Sequence, residues 1–313
     1  MKRMGNLLPN KFMQASFENY ITHILSKRSP VIDSPVEIKS VGGGSINETY
    51  QVIAKDQKFF CKVNDAAEFP GLFEKEAMGL QTISSTGCIL CPEHIGTYDH
   101  NGQQILLLEW IETGTRTDRF WKRFGEQLAK LHLWKGTGVE RYLPSNPFGF
   151  KHDNYMGSLP QKNEPMDNWC DFFRENRLQQ QLNLALQQHL IPINSAALFS
   201  NLYLRLTDIF LPEPASLLHG DLWSGNFMCN ENADPVLIDP AVYFGHRSMD
   251  LAMTTLFGGF DKVFYDAYEY WYPLPSNYKE QWEVCNLYPL LIHLNLFGKS
   301  YLPAIESCLR RFH

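Results

Sequence analysis

His219-Gly-Asp-Leu-Trp-Ser-Gly-Asn226-Phe-Met-Cys229, then Asn230-Glu-Asn-Ala-Asp-Pro235 and Val236-Leu-Ile-Asp239, is the stretch on which the reading of this chain turns. It spaces a carboxylate (Asp221), an amide (Asn226) and a second carboxylate (Asp239) around a hairpin. Asn226–Cys229 suits a short strand. Residues 230–235 are turn chemistry, because Asn and Asp tolerate left-handed backbone and Pro fixes φ. Val236–Ile238 reads as a buried strand that delivers Asp239. Phosphoryl transfer needs this kit: one carboxylate takes the proton of an attacking hydroxyl, while an amide and a second carboxylate hold Mg²⁺ on the nucleotide phosphates. The step from Asp221 to Asn226 equals that of the catalytic loop H-R-D-x-x-x-x-N. A lone Asp-x4-Asn is common in turns. The flanking His219-Gly220, the hairpin-length gap and the Ile238-Asp-Pro240 ending lift this one to a phosphotransferase expectation.

Working outward, Gly42, Gly43, Gly44 and Ser45 lie between two expected strands. Glycines there let backbone N–H groups approach phosphate oxygens that a Cβ would keep away. The run is neither G-x-x-x-x-G-K-[ST] nor G-x-G-x-x-G opening a helix. Lys62 sits on the next apolar strand, where a lysine is costly unless paired. Glu76 on the following helix is the expected partner, with Glu74 the runner-up. Glu109-Trp110-Ile111 ends a later strand at an expected lobe boundary, where main-chain groups would meet an adenine edge. His219 is expected to hold the loop through a backbone carbonyl, and Asp250 to brace it from a helix start. Trp223 is a packing anchor or a wall of a sugar pocket. His246 and Arg247, just past the second carboxylate, are candidates to meet a phosphate or a substrate hydroxyl.

Hydrophobic periodicity predicts a helix over 11–28 with Phe12, Phe17, Ile21, Ile24 and Leu25 on one face, closed by Ser29-Pro30. Strands follow at 36–41, 49–54 and 59–63, a helix at 72–83, and strands at 95–98 and 104–111. The pattern then changes. Helices are expected at 118–133, 168–190, 195–211, 247–258, 261–271 and 277–312, the last broken near Pro289, with 136–166 as loops. An α+β, bilobal architecture follows: a small antiparallel-sheet lobe over 1–112, expected to take nucleotide, and a larger helical lobe over 113–313 with the catalytic loop and substrate site.

The 313 residues, 44% apolar and 13% aromatic, supply an ample core. A net charge of −6 invites neither nucleic acid nor an anionic membrane. No signal segment or membrane span is read, and seven irregularly spaced cysteines suit a reduced, cytoplasmic protein. Cys88-Ile-Leu-Cys91 lacks the second pair that a zinc site would want. The oligomeric state is left open.

Together these residues resemble the fructosamine kinase (ketosamine-3-kinase) family, of the aminoglycoside-phosphotransferase-like, protein-kinase-like fold. The resemblance runs from about residue 15 to 310. It is carried by Gly42–Asn47, Phe59–Asn64, Phe73–Ala77, Trp169–Phe173 with Arg177-Leu178, His219–Asn226 and Asp239–Arg247. His-Gly-Asp-x4-Asn fixes only the superfamily; Leu222-Trp-Ser-Gly225 and Asp239-Pro-Ala-Val-Tyr243 with Gly245-His-Arg247 are narrower. The resemblance implies ATP- and Mg²⁺-dependent phosphorylation of O3 on a small-molecule or protein-bound ketosamine, a step linked to protein deglycation. It also implies Asp221 as base, Asn226 and Asp239 as metal ligands, and Lys62 with Glu76 orienting phosphates. The chain departs from many relatives at Ser45, where they carry Cys, and at Ser248, where they carry Glu. A thiol switch at the glycine loop is therefore not supported, and a substrate contact through residue 248 is lost.

Two rivals are weighed. A kinase of another small hydroxyl compound, such as an aminoglycoside or a choline-like alcohol, would want different cleft charge. A non-catalytic nucleotide-binding pseudokinase would be expected to lack one of Lys62, Asp221, Asn226 or Asp239, and all four are present.

Overall fold

The computed structural model describes residues 11–28, 35–42, 46–135 and 146–312, with side chains at 11–14 outside that set. The chain divides into two compact units, Met1–Met78 with Pro92–Glu112, and Gly79–Cys91 with Thr113–His313.

The first unit opens with helix α1 (Lys11–Arg28), followed by strands β1 (Glu37–Ser40), β2 (Glu48–Ala54) and β3 (Gln57–Asp65), helix α2 (Leu72–Ser84), which runs on into the second unit, and strands β4 (His94–His100) and β5 (Gln103–Glu109). The strands form one antiparallel sheet in the order β1-β2-β3-β5-β4. Side chains alternate across a strand, and on β3 this sorts chemistry by face. Phe59, Cys61 and Val63 join Phe17, Ile21, Ile24 and Leu25 of α1 in a core with Val52, Ala54, Ile105 and Leu107. Phe60, Lys62 and Asn64 fall on the other face. Of the expected α1 stripe, Phe12 lies outside the described side chains, as do Ser29 and Pro30.

The second unit continues with α3 (Asp118–Leu133), β6 (Asn154–Met156), β7 (Leu159–Gln161), α4 (Trp169–Phe172), α5 (Gln179–Gln187), α6 (Ile193–Ile209), β8 (Ser216–Leu218), β9 (Phe227–Cys229), β10 (Pro235–Leu237), β11 (Tyr243–Gly245), α7 (Ser248–Leu256), α8 (Lys262–Trp271), α9 (Tyr278–Cys285), α10 (Leu287–Phe297) and α11 (Leu302–Leu309). The paired short strands are β6-β7, β8-β11 and β9-β10, all antiparallel. An aromatic cluster of Phe120, Trp121 and Phe124 from α3, Phe227 from β9, and Phe260 and Phe264 has ring centroids mostly 5–6 Å apart. It anchors β9 directly after Asn226.

Two sequence expectations are corrected here and a third is extended. Residues 136–166 are not all loop: Asn154–Gln161 forms the β6-β7 hairpin, whose three-residue strands are too short to show a period. Its buried amides serve the chain that follows Asp239. Asn154 Nδ2 donates to the Val242 carbonyl at 2.8 Å and Gln161 Nε2 to the Ala241 carbonyl at 3.1 Å. The expected helix over 168–190 contains a π-helical turn, Phe173–Leu178, between α4 and α5. The wider turn turns Trp169, Phe172, Phe173, Asn176, Arg177 and Leu178 all inward. Arg177 lies fully buried, its guanidinium 3.9 Å from the Tyr243 ring centroid, donating to the Lys162 carbonyl and to Asn163 Oδ1. Finally, the C-terminal helical run breaks near Pro289 as expected, with Pro289 in the first turn of α10, where a missing N–H is harmless, but it also breaks a second time. The breaks fall at Asn286 and at Gly298, whose φ of 93° suits glycine.

Burial of histidines near β11 and the loop before it gives the fold a pH dependence. Burial holds His219 below its usual value, and burial with the nearby Arg247 and His132 charges holds His246 down to about 3. The unfolded chain protonates these rings near 6.5, whereas the folded chain does not, so folded stability is full above that pH and declines as pH falls towards 3. The decline should amount to a few kcal/mol on the order of the linkage. Urea unfolding across pH 7 to 4 should show it, and His246→Asn, which keeps an acceptor for the Ser248 N–H, should flatten the slope.

Candidate active site

The loop between β8 and β9 carries Asp221, and its backbone is clamped from helix α7. Asp250 Oδ2 accepts the His219 N–H and Oδ1 the Gly220 N–H, both at 2.8 Å. Burying this carboxylate is tolerable because its charge is matched by donors. A third donor is His132 of α3, whose Nε2 lies 3.1 Å from Oδ2. A carboxylate only accepts, so Nε2 bears a proton, and Nδ1 lies in hydrogen-bond contact with the Tyr268 hydroxyl at 2.8 Å. His219 is fixed the same way. Its Nε2–H donates to the Ile238 carbonyl at 2.9 Å, leaving Nδ1 to accept the Asp221 N–H at 3.2 Å. The roles expected of His219 and Asp250 are therefore seen. Gly220 has φ 84°, and a Cβ there would meet the Ala241 carbonyl oxygen at 2.1 Å. Ala241 N–H in turn donates to the His219 carbonyl at 2.8 Å. The two segments that carry Asp221 and Asp239 are thus laced together.

Asn226 joins them at the other end. Its Nδ2 donates to the Asp221 carbonyl at 2.9 Å and to Asp221 Oδ2 at 2.8 Å, and its carbonyl accepts the Ile238 N–H at 3.1 Å. Because the Asp221 main-chain carbonyl only accepts, the amide's orientation is set, and Oδ1 is its remaining acceptor face. Asp239 follows Ile238 with a backbone φ of 56°. That left-handed conformation is tolerated by Asp better than by most residues but is strained, and it precedes a proline. The surroundings push the Asp221 carboxyl up to about 7: burial first, then the Asp239 charge, with the Asn226 amide opposing and Asp250 adding. Asn226 and Asp239 offer hard oxygen donors, the set that suits Mg²⁺.

In the first unit, Lys62 Nζ and Glu76 Oε1 are 2.7 Å apart at 3% and 9% exposure. The pair expected from sequence is present, with Glu76 and not Glu74 as the partner. Beside it, Asn64 Nδ2 donates to Asn47 Oδ1 at 3.0 Å. At Gly42 no atom of the described residues lies within 4 Å of a built Cβ. Gly43, Gly44 and Ser45 lie outside the described residues. The Glu109 N–H is used by the Glu93 carbonyl at 2.9 Å; Trp110, next in the chain, has its ring 6.4 Å from Phe60, and Ile111 follows.

His246 and Arg247, the candidates for substrate contact, are buried and engaged within the protein. Arg247 donates to the Tyr272 and Pro273 carbonyls at 2.9 and 2.8 Å, has Nε 3.1 Å from Glu213, and lies 3.4 Å from the Tyr272 ring centroid. All three of its nitrogens engage partners that sequence spacing could not reveal. His246 accepts the Ser248 N–H and packs against Trp169 and Phe210. Ser248 is itself buried, donating to Gln281 Oε1 at 2.9 Å. Trp223 stays partly exposed, its ring laid across Gly225, where a Cβ would meet it at 2.3 Å. Sequence reasoning missed His132 and Tyr268. His132 was one histidine among scattered others, and its only cue was its place on the buried stripe of α3.

Fold and loop define a class: small-molecule phosphotransferases of the protein-kinase-like fold. Within it, the chain belongs to the fructosamine kinase family, described as "Fructosamine kinase", whose sequence model matches residues 18–313. A "Probable ketoamine kinase" of Synechocystis sp. is 39% identical over 275 residues, covering 88% of this chain and 90% of that one. The chloroplastic protein-ribulosamine 3-kinase of Arabidopsis thaliana is 36% identical over 283 residues, 87% and 81% of the two chains. The crystal structure of a candidate fructosamine-3-kinase from Thermobifida fusca matches with TM-score 0.80 at 30% identity, over 93% of this chain and 98% of that one. At the level of fold alone, the aminoglycoside phosphotransferase APH(4)-Ia, solved in a ternary complex with AMP-PNP and hygromycin B, matches with TM-score 0.63 at 13% identity, over 94% and 98% of the chains.

The clamp on the loop is testable through its outermost member. Tyr268→Phe removes the hydroxyl that bonds His132 while keeping the ring. Turnover should fall about 3- to 10-fold, the equivalent of one hydrogen bond worth ~1 kcal/mol, with KM for nucleotide little changed. Steady-state kinetics at varied nucleotide concentration measures both.

Proposed function

We propose that this protein transfers the γ-phosphoryl group of ATP to the O3 hydroxyl of a ketosamine, with Asp221 as the base. The single observation that carries the site assignment is the lacing of Asp221, Asn226 and Asp239 through Asn226 Nδ2 and the Asn226–Ile238 main-chain bond. Asp221, raised towards neutrality by burial and by Asp239, is suited to take a hydroxyl proton, since a base works best with a pKa near the working pH. Asn226 Oδ1 and the Asp239 carboxylate would hold Mg²⁺, which when bound neutralises charge on the nucleotide phosphates. In the first unit, Lys62, held in place by Glu76, would supply positive charge to the phosphates. Main-chain groups of 42–45 and of 109–111 would serve the phosphates and the adenine edge. Nothing covalent is asked of the protein; positioning and charge account for catalysis.

The acceptor class follows from family membership and from the names its relatives carry, which favour ketosamines over an aminoglycoside or a choline-like alcohol. The presence of all four of Lys62, Asp221, Asn226 and Asp239 speaks against a pseudokinase. Described residues contain no helix long and apolar enough to cross a membrane. Seven free cysteines suit a reducing compartment such as the cytoplasm.

A panel of synthetic ketosamines with MgATP, read by ADP release and by the position of phosphate in NMR spectra, tests the reading; turnover of none of them refutes it. Asp221→Asn should lower kcat by about 10²- to 10⁴-fold with ATP binding retained. Asp239→Ala should instead weaken nucleotide binding only when Mg²⁺ is present, which paired titrations with and without the metal will resolve.

A further inference from the structure

From Trp223, two residues past Asp221, a chain of aromatic rings runs outward over the second unit. Trp223 meets Phe257 at 6.0 Å between centroids, Phe257 meets His293 at 4.9 Å, and His293 meets Phe297 at 5.4 Å and Tyr301 at 5.1 Å. The strip is open to solvent: Trp223 is 37%, Phe257 42% and Phe297 45% exposed. Apolar rings exposed in contact with one another, next to a catalytic loop, mark a binding surface more readily than scattered ones do.

The strip is also tied mechanically to the loop. Phe257 caps α7 and is followed by Gly258 and Gly259, with φ of 69° and 91°. Gly259 packs so close to Ser224 that a Cβ would lie 2.5 Å from its Cβ. Phe260 then enters the aromatic cluster around Phe227 at 4.9 Å. Phe257 is therefore held in register with Trp223 by glycine contacts on one side and a packed ring on the other.

A ketosamine carries its amine on C1, two carbons from the hydroxyl at C3. Whatever bears that amine must leave the site close to the base. The amine is a secondary alkyl ammonium at neutral pH, and ring faces attract such cations. His293 complements them. Its Nδ1 is bonded to the Pro289 carbonyl at 2.7 Å, so that nitrogen carries the proton and Nε2 is an acceptor, with no hydrogen-bond partner among the described residues. Burial keeps the ring neutral, opposed by that same bond, so it does not repel a cation.

Resting on the ketosamine reading above, we infer that Trp223, Phe257, His293, Phe297 and Tyr301 form the surface that holds the amine-bearing half of the substrate, the ammonium and the alkyl chain that carries it. The strip sets preference for a ketosamine on an extended chain, such as a lysine side chain in a peptide, over one on a minimal amine.

The test compares two acceptors in the full-length protein: the ketosamine of methylamine, and the same ketosamine on a lysine side chain in a short peptide. Initial rates of ADP release give kcat/KM for each, and their ratio is the readout. Phe257→Ala combined with Phe297→Ala should lower the peptide-to-methylamine ratio about 3- to 30-fold, through KM of the peptide. Phe297→Tyr, which keeps a ring, should restore the ratio in a Phe297 single variant. Tyr270→Ala, exposed on α8, should leave the ratio at the wild-type value. If the double variant does not fold, the single variants read the same ratio. A ratio unmoved within twofold, or a methylamine rate that falls as far as the peptide rate, overturns the inference. So does a wild-type protein that turns over the methylamine adduct and not the peptide, which leaves the ketosamine reading standing. A wild-type protein that turns over neither acceptor overturns both.

Discussion

One carboxylate, that of Asp250, holds two consecutive main-chain N–H groups, and the geometry of the active loop hangs from it. With His219 and Gly220 fixed, Asp221 has one backbone trajectory available, and Asn226 closes the loop upon it. The clamp is buried and its donors are all supplied by the protein, so it is rigid where an exposed ion pair would not be. Its reach is long: α3 contributes His132, α8 contributes Tyr268, and α7 contributes the carboxylate itself. Packing of those helices is thereby converted into the placement of one side chain.

The first unit solves a different problem. It must present a lysine on a strand whose neighbours are apolar. Alternation across β3 sends Phe59, Cys61 and Val63 into the α1 core and leaves Lys62 on the opposite face, where Glu76 of α2 neutralises it. A buried pair of this kind adds little to stability relative to an apolar pair. Its value lies in orientation, consistent with a role towards phosphates.

Much of this was legible from residues alone, for reasons that differ between elements. The stretch 219–239 could be read because phosphoryl transfer demands particular side chains at short spacing, and local turn chemistry supports them. The long helices could be read because burying one face imposes a period. What escaped had no local signature. The strands of the β6-β7 hairpin are too short for alternation, and its Asn154 and Gln161 look like loop residues until their carbonyl partners, some 80 residues away, are known. Arg247 looked like a ligand because a cation near an active loop usually is one. Only the fold shows Tyr272, Pro273 and Glu213 already occupying it. The π-helical turn at 173–178 is a response to packing Arg177 between aromatic rings, and no propensity scale encodes it.

The backbone at Asp239, with φ of 56°, has an evolutionary corollary. A glycine there would relax the torsion at once, so selection for robustness alone pulls this position away from a carboxylate. Drifted copies freed from selection for catalysis are expected to lose the acid here early and to gain thermal resilience as they do. The strained aspartate is thus a tide mark: a lineage that retains it is still being held to its chemistry.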